Sequence, residues 1–165
     1  MLFSPPSPAK IQQFLNLIDR ISDKLGVSVP PFVHLEQLRS LPVGTLGHAW
    51  AESLDRRNLA PFTTGPRRKH LHDGIHVLTG YDTDPLGEAE VQAFLLGSKF
   101  RVAHVLLGVG LLKPIYHQHP TWQEVQARLW SAYQRGSHSS FDVDSWQPEQ
   151  MWHVPLEQVQ QHYGL

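Results

Sequence analysis

Two histidines four residues apart, with an acidic residue beside the first, open the most chemically loaded stretch of this chain: His72-Asp73-Gly74-Ile75-His76, followed by Glu88. On a helix of about 100° per residue, His72, Asp73 and His76 sit at about 0°, 100° and 40°, within one arc. An i, i+4 pair on one helix face brings two imidazoles to a single ion, the arrangement that helical zinc sites use. Glu88 opens the next predicted helix after a reversal at Gly80 to Pro85, and an antiparallel return brings its carboxylate back to the same face. Two neutral nitrogens and up to two carboxylates neutralise a divalent cation and leave positions open to water or substrate. Zinc is the first candidate. Iron(II) and manganese(II) share the donor preference, and magnesium, which favours oxygen, ranks lower. The plainer alternative keeps the histidines as surface residues, pairs Asp73 with Arg67 or Lys69, and makes Glu88 an acid favoured at a helix N-terminus.

The remaining polar residues carry weaker signals. The chain has 11 histidines, 14 Lys plus Arg, 15 Asp plus Glu and no cysteine in 165 residues. The missing cysteines remove thiolate metal sites and thiol nucleophiles, and the balanced charge argues against nucleic acid as a partner. Arg67-Arg68-Lys69 reads as a solvated helix face rather than a phosphate contact. His70 points about 200° from His72 and is expected to be exposed. His104 is read as a satisfied core histidine, Lys99 and Arg101 as solvated rim charges, and His117-Gln118-His119 as a surface loop. Trp122, Trp130, Trp146 and Trp152 are core residues or membrane-interface anchors. The His72-Asp73 dipeptide also suggests an HD-type phosphohydrolase. Its further His and Asp would come from His34, His48, Asp142 or Asp144, none of them in a convincing helical context.

The elements that must position the site are all helical. Ser7-Pro8 opens a first helix that Gly26 stops. Further helices are predicted over about 32–39, 45–57 and 67–79, the last ending at Gly80. A long, central, largely apolar helix is predicted from about Leu86 to Leu112, halted by Pro114. Another starts at Thr121, with Glu124 at the capping-box position, and runs to Arg135 before Gly136. The tail from Ser137 is expected to be looser before a last helix over 155–163. No strand alternation is visible, so the expected fold is all-α, a single domain of six or seven helices over 1–165. The apolar run 102–112 is too short to span a bilayer. The first residues do not read as a signal or transit peptide, so a cytoplasmic protein, at most peripheral to the inner or cell membrane, is expected.

The run from His72 to Gly80 followed by Asp84-Pro85-Leu86-Gly87-Glu88 resembles the signature of the Coq-four family of coenzyme Q (ubiquinone) biosynthesis: HDxxH, eleven residues, then Glu. Trp130, Tyr133, Arg135-Gly136, Trp146, Trp152, Pro155-Leu156 and Val159 extend the resemblance, which is clearest over 67–165. Gly74 stands where the family is usually bulky. The resemblance implies an all-α protein that handles prenylated quinone precursors, or another isoprenoid lipid, at a membrane surface alongside other quinone-biosynthesis proteins, with a homodimer as a candidate assembly. It implies oxidative decarboxylation and hydroxylation at ring carbon one, with His72, Asp73, His76 and Glu88 as metal ligands and catalytic residues. The alternative within the family is a non-catalytic scaffold for the lipid. With the resemblance, a prenyl groove is expected beside the long helix, lined by Phe94, Gly97, Phe100, Val105, Gly108 and Leu112. Without it, the same residues read as core.

Overall fold

The computed structural model describes residues 16, 19, 20, 22–101, 104, 105, 108, 111, 115 and 121–165. Among them lie six α-helices: α1 (Leu35–Arg39), α2 (Leu46–Arg56), α3 (Arg67–Thr79), α4 (Pro85–Ser98), α5 (Trp122–His138) and α6 (Leu156–Tyr163), with a 3-10 turn at Pro148–Gln150 before α6. Residues 16, 19, 20 and 22–24 are also helical, and Gly26 follows in the left-handed region at φ 66°. Among the described residues β-pairing is confined to two isolated bridges. The fold is all-α and single-domain, as the apolar spacing predicts.

The ends of α3 and α4 decide where the metal-ligand candidates sit, and both follow local rules. Gly80 takes φ 76° and its N–H donates to the His76 carbonyl at 2.8 Å, which closes α3 with a left-handed cap. Asp84 caps α4 by accepting from the Gly87 N–H at 2.6 Å, and Pro85 occupies the first helical position. Only glycine fits at position 87, because a Cβ there would collide with the Asp82 backbone. The five-residue connector therefore folds back tightly between the two helices.

Three expectations are corrected. The uninterrupted helix to Leu112 is absent: α4 ends at Ser98, and Lys99 is extended at φ −156° and ψ 112°. Helix resumes by His104. Lys99 is held by Asp142 at 2.6 Å and Asp144 at 3.2 Å, and Arg101 pairs with Asp144, so these charges stay at the solvated rim as expected and also tether the break. Second, α5 continues through Gly136 to His138. That glycine is a contact surface, since a Cβ at 136 would overlap the Phe94 carbonyl and one at Gly97 would overlap the Tyr133 carbonyl. The paired glycines let the backbones of α4 and α5 touch. Third, the tail after Ser137 is irregular but firmly built in, with Phe141, Val143 and Trp146 in the core.

That core gathers Trp50 and Leu54 of α2, Leu71, Ile75 and Leu78 of α3, Val91 and Phe94 of α4, and Val159 of α6. Trp50 stacks on Trp146 at 6.0 Å and meets Trp152 edge-on at 5.1 Å. Its ring lies directly on the backbone of α3 at Gly74, where any side chain would overlap it. The small residue inside the motif thus seats the ligand-bearing helix on an aromatic plate. The basic run at the start of α3 is also structural. Arg67 bonds Glu149 and the Trp146 carbonyl, Arg68 bonds Asp144, and Lys69 bonds Asp19. These ties replace the solvated face that the sequence suggests.

Candidate metal centre

His72 and His76 project from successive turns of α3, with ring centroids 4.8 Å apart and planes at 65°. Glu88, in the first turn of α4, reaches both. Its Oε2 lies 3.2 Å from His72 Nε2, and its Oε1 lies 3.2 Å from His76 Nε2. One potential ligand atom from each of these residues falls within 4.8 Å of the others, the only such grouping among the described residues. Ligands of one tetrahedral ion bound at 2.0–2.1 Å stand roughly 3.3 Å apart, so the imidazole–carboxylate separations suit a shared cation.

The tautomer of His76 is fixed by the connector. Its Nδ1–H donates to the Tyr81 carbonyl at 3.1 Å, which turns Nε2 inward toward Glu88. That nitrogen is buried and, although near Glu88, is not aligned for a hydrogen bond with it. An orphaned buried nitrogen is costly unless something satisfies it. A cation does so, and the donor set therefore fits a divalent metal.

The charges point the same way. Burial works against protonated His72, but contacts with the Asp73 and Glu88 carboxylates outweigh it and hold the imidazole up at about 9. Burial alone would raise Glu88; the two imidazoles more than reverse this and bring the carboxyl down to about 2. Without an ion, a proton on His72 supplies the positive charge that Glu88 demands.

Asp73 stands one step out. Its Oδ1 lies 4.0 Å from His72 Nδ1, the ring nitrogen opposite the one that meets Glu88, and 3.7 Å from Arg57 Nη2. A carboxylate on the far side of a ligating imidazole orients that ring. The structure therefore joins three of the four candidates directly and the fourth through His72. The sequence offers no cue for Tyr81 or Arg57, which act through a backbone carbonyl and a neighbouring helix. His70, expected to be exposed, is only 2% exposed and stacks on Phe32 at 5.6 Å. His104 is buried as expected, with Nδ1 2.9 Å from Gln92 Oε1.

The residues expected to line a lipid groove separate. Phe94 is fully buried against Tyr81 and Phe141, and Gly97 is covered by α5. Phe100 is 72% exposed, Val105 is exposed and Gly108 half-buried; Leu112 lies outside the described residues. No helix among the described residues is long and apolar enough to cross a membrane.

Helical architecture and a His–His–Glu cluster together describe a small all-α protein with a candidate mononuclear metal centre. No protein-family model matches the chain. The mitochondrial ubiquinone biosynthesis protein COQ4 homolog of Mus musculus is 29% identical over 147 residues, 79% of this chain and 54% of that protein. Its Bos taurus counterpart is 28% identical over 148 residues, and the Podospora anserina COQ4 protein 34% over 76 residues, 38% of this chain. The chain thus spans about half the length of the first curated relatives it matches. A crystal structure from Nostoc punctiforme, provisionally named for ubiquinone biosynthesis, superposes with a TM-score of 0.70 at 25% identity, over 93% of this chain and 80% of that one. The chain is thus similar in sequence to COQ4 proteins and in fold to the Nostoc protein, in line with the motif's resemblance.

Proposed function

We propose that this chain acts in the biosynthesis of ubiquinone or a related prenylquinone, binding a divalent metal and a prenylated aromatic precursor, and supports oxidative decarboxylation and hydroxylation at ring carbon one. The observation that carries the reading is the convergence of His72, His76 and Glu88, whose potential ligand atoms lie within 4.8 Å of one another around the buried Nε2 of His76. Relatives named for ubiquinone biosynthesis supply the pathway. His72, His76 and Glu88 would hold the ion, zinc first by donor type, with iron or manganese next and magnesium after them. When bound, a divalent cation polarises a ring substituent or an oxygen ligand beside it. Asp73, 4.0 Å from His72 Nδ1, would favour a proton on that nitrogen and so leave Nε2 to the ion. The Tyr81 carbonyl keeps His76 in the ligating tautomer.

The exposed Phe100, Trp122 and Trp130 suit contact with a membrane surface, where aromatic rings settle at the headgroup level. Prenyl chemistry and other quinone-biosynthesis proteins would be met there. The burial of Phe94 and Gly97 moves any prenyl contact toward Phe100, Val105 and Gly108.

A second reading, a non-catalytic prenyl-lipid scaffold, is favoured by one observation: Asp73 is already engaged with Arg57 and is not free to serve as a base at the ion. Purified metal-loaded protein, given a prenylated hydroxybenzoate and oxygen, separates the two. Loss of carbon dioxide with a new ring hydroxyl, abolished in Glu88→Gln, supports catalysis. Tight lipid binding with no turnover assigns the chain to the scaffold.

A further inference from the structure

Behind the metal-facing side of α3 lies a cavity of about 410 Å³, between the end of α2, the last turn of α3, the reversing connector and the start of α6. His76 forms part of its wall, so the cavity and the candidate metal centre share one imidazole. Arg56, the last residue of α2, and Arg57, its C-cap, both line it, while Ala49, Val77, Tyr81 and Leu156 give it an apolar lining. Arg57 is pre-set: Nε donates to the Ser53 carbonyl and Nη2 to the Ser53 hydroxyl, both at 3.0 Å, with Asp73 3.7 Å from Nη2. Its Nη1 has no partner among the described residues. Arg56 likewise has no carboxylate partner there. The one carboxylate lining the cavity, Asp82, accepts the Thr83 N–H through Oδ1 at 2.7 Å.

We propose that this cavity binds an aromatic carboxylate, with Arg56 and Arg57 gripping the anion and the ring lying against Ala49, Tyr81 and Leu156. A planar guanidinium matches a carboxylate edge, and a fixed arginine loses less entropy on binding than a free one. The apolar lining asks for a flat hydrophobic body behind the charge, which inorganic phosphate lacks. A volume of about 410 Å³ lies within the range of small-molecule sites, roughly 300–1,000 Å³. The proposal rests on the functional reading above for its choice of ring acid, and it names the residues that would select that substrate.

Calorimetry or ligand-observed NMR with 4-hydroxybenzoate tests it on the zinc-treated full chain and on His72→Ala. We expect saturable binding to both proteins, because the carboxylate grip does not use His72. Arg56→Gln should weaken that binding about tenfold or more, the loss of one charge-assisted contact. Arg56 is exposed, so this variant folds normally. Ala49→Leu, which fills the cavity and keeps both charges, should weaken it similarly. The neutral analogue 4-hydroxybenzyl alcohol should bind at least tenfold more weakly than the acid. Equal binding of acid and alcohol would overturn the proposal. So would phosphate competing as well as the ring acid with Ala49→Leu having no effect, since that describes only a cationic patch. Metal uptake measured on the same samples judges the metal centre separately: zinc bound with no ring acid sinks the cavity proposal alone, and ring acid bound with no zinc sinks the metal reading alone.

Discussion

Metal uptake should be steeply pH-dependent, because an incoming cation must displace the proton that Glu88 and Asp73 hold on His72. With that imidazole at about 9, only about 1% of it is neutral at pH 7. Ligating nitrogens must be deprotonated, so apparent affinity should climb almost tenfold per pH unit up to about pH 9. Between pH 6.5 and 8.5 the gain is about 75-fold, against about twofold for an imidazole at its ordinary 6.5. Cobalt(II), whose visible absorption reports its coordination, is a convenient probe over this range. Calorimetry at pH 7.5 in buffers of different ionisation enthalpy should count about one proton released per ion. Affinity that stays flat over this interval, with no proton released, would refute the electrostatic account of the site. So would an undiminished slope in His72→Gln.

Other outcomes follow from the same geometry. In His76→Ala and in Glu88→Gln, metal occupancy measured by mass spectrometry should fall at least tenfold while far-ultraviolet dichroism keeps its helical amplitude, since neither side chain supports the core. For the metal-free protein, His72 is raised above its unfolded value and stabilises the fold fully below pH 6.5, a contribution lost as pH rises through about 9. Glu88, depressed, contributes above about 4.5 and loses this as pH falls through about 2, so the share of stability that the His72–Glu88 pair supplies, read as the difference in denaturant midpoint between the protein and Glu88→Gln, should be greatest from about pH 4.5 to 6.5. The His72 interval corresponds to roughly 3.4 kcal/mol, but its side chain is 37% exposed and screening reduces this to about 1 kcal/mol. The Glu88 interval describes the same contacts and does not add to it. Gly74→Ala should destabilise by roughly 1–2 kcal/mol, because overlap with Trp50 outweighs the helical preference of alanine. That lowers the melting temperature by roughly 3–6 °C. Asp144→Asn, which leaves Arg68, Lys99 and Arg101 without their common partner, should cost about 1 kcal/mol in low salt and less in high salt.

The helical class and the placement of His72, His76 and Glu88 were legible in the sequence because each depends on short-range rules. The i, i+4 spacing, the cap at Gly80 and the Asp84-Pro85 start lie within a few residues of what they control. The break at Lys99 was not legible, since its cause is a pair of aspartates more than forty residues downstream. Gly136 misled for a related reason. Glycine serves equally as a helix stop and as a helix-contact surface, and only the partner helix tells which. His70 shows the limit of angular bookkeeping: a residue opposite the ligand face is exposed only if nothing covers that side, and Phe32 does. The orienting roles of Tyr81 and Arg57 fall outside pattern reading altogether. One works through its backbone, and the other arrives from a separate helix.

The touching backbones of α4 and α5 have a mechanical consequence. Helices locked glycine to glycine cannot slide, so Glu88 travels with a stiff two-rod frame, whereas the imidazoles travel with α3 on its tryptophan seat. An ion caught among them is a clasp between two separately supported bodies. Its arrival should quieten amide exchange first in the short strap from Gly80 to Asp84, long before it is felt in either rod.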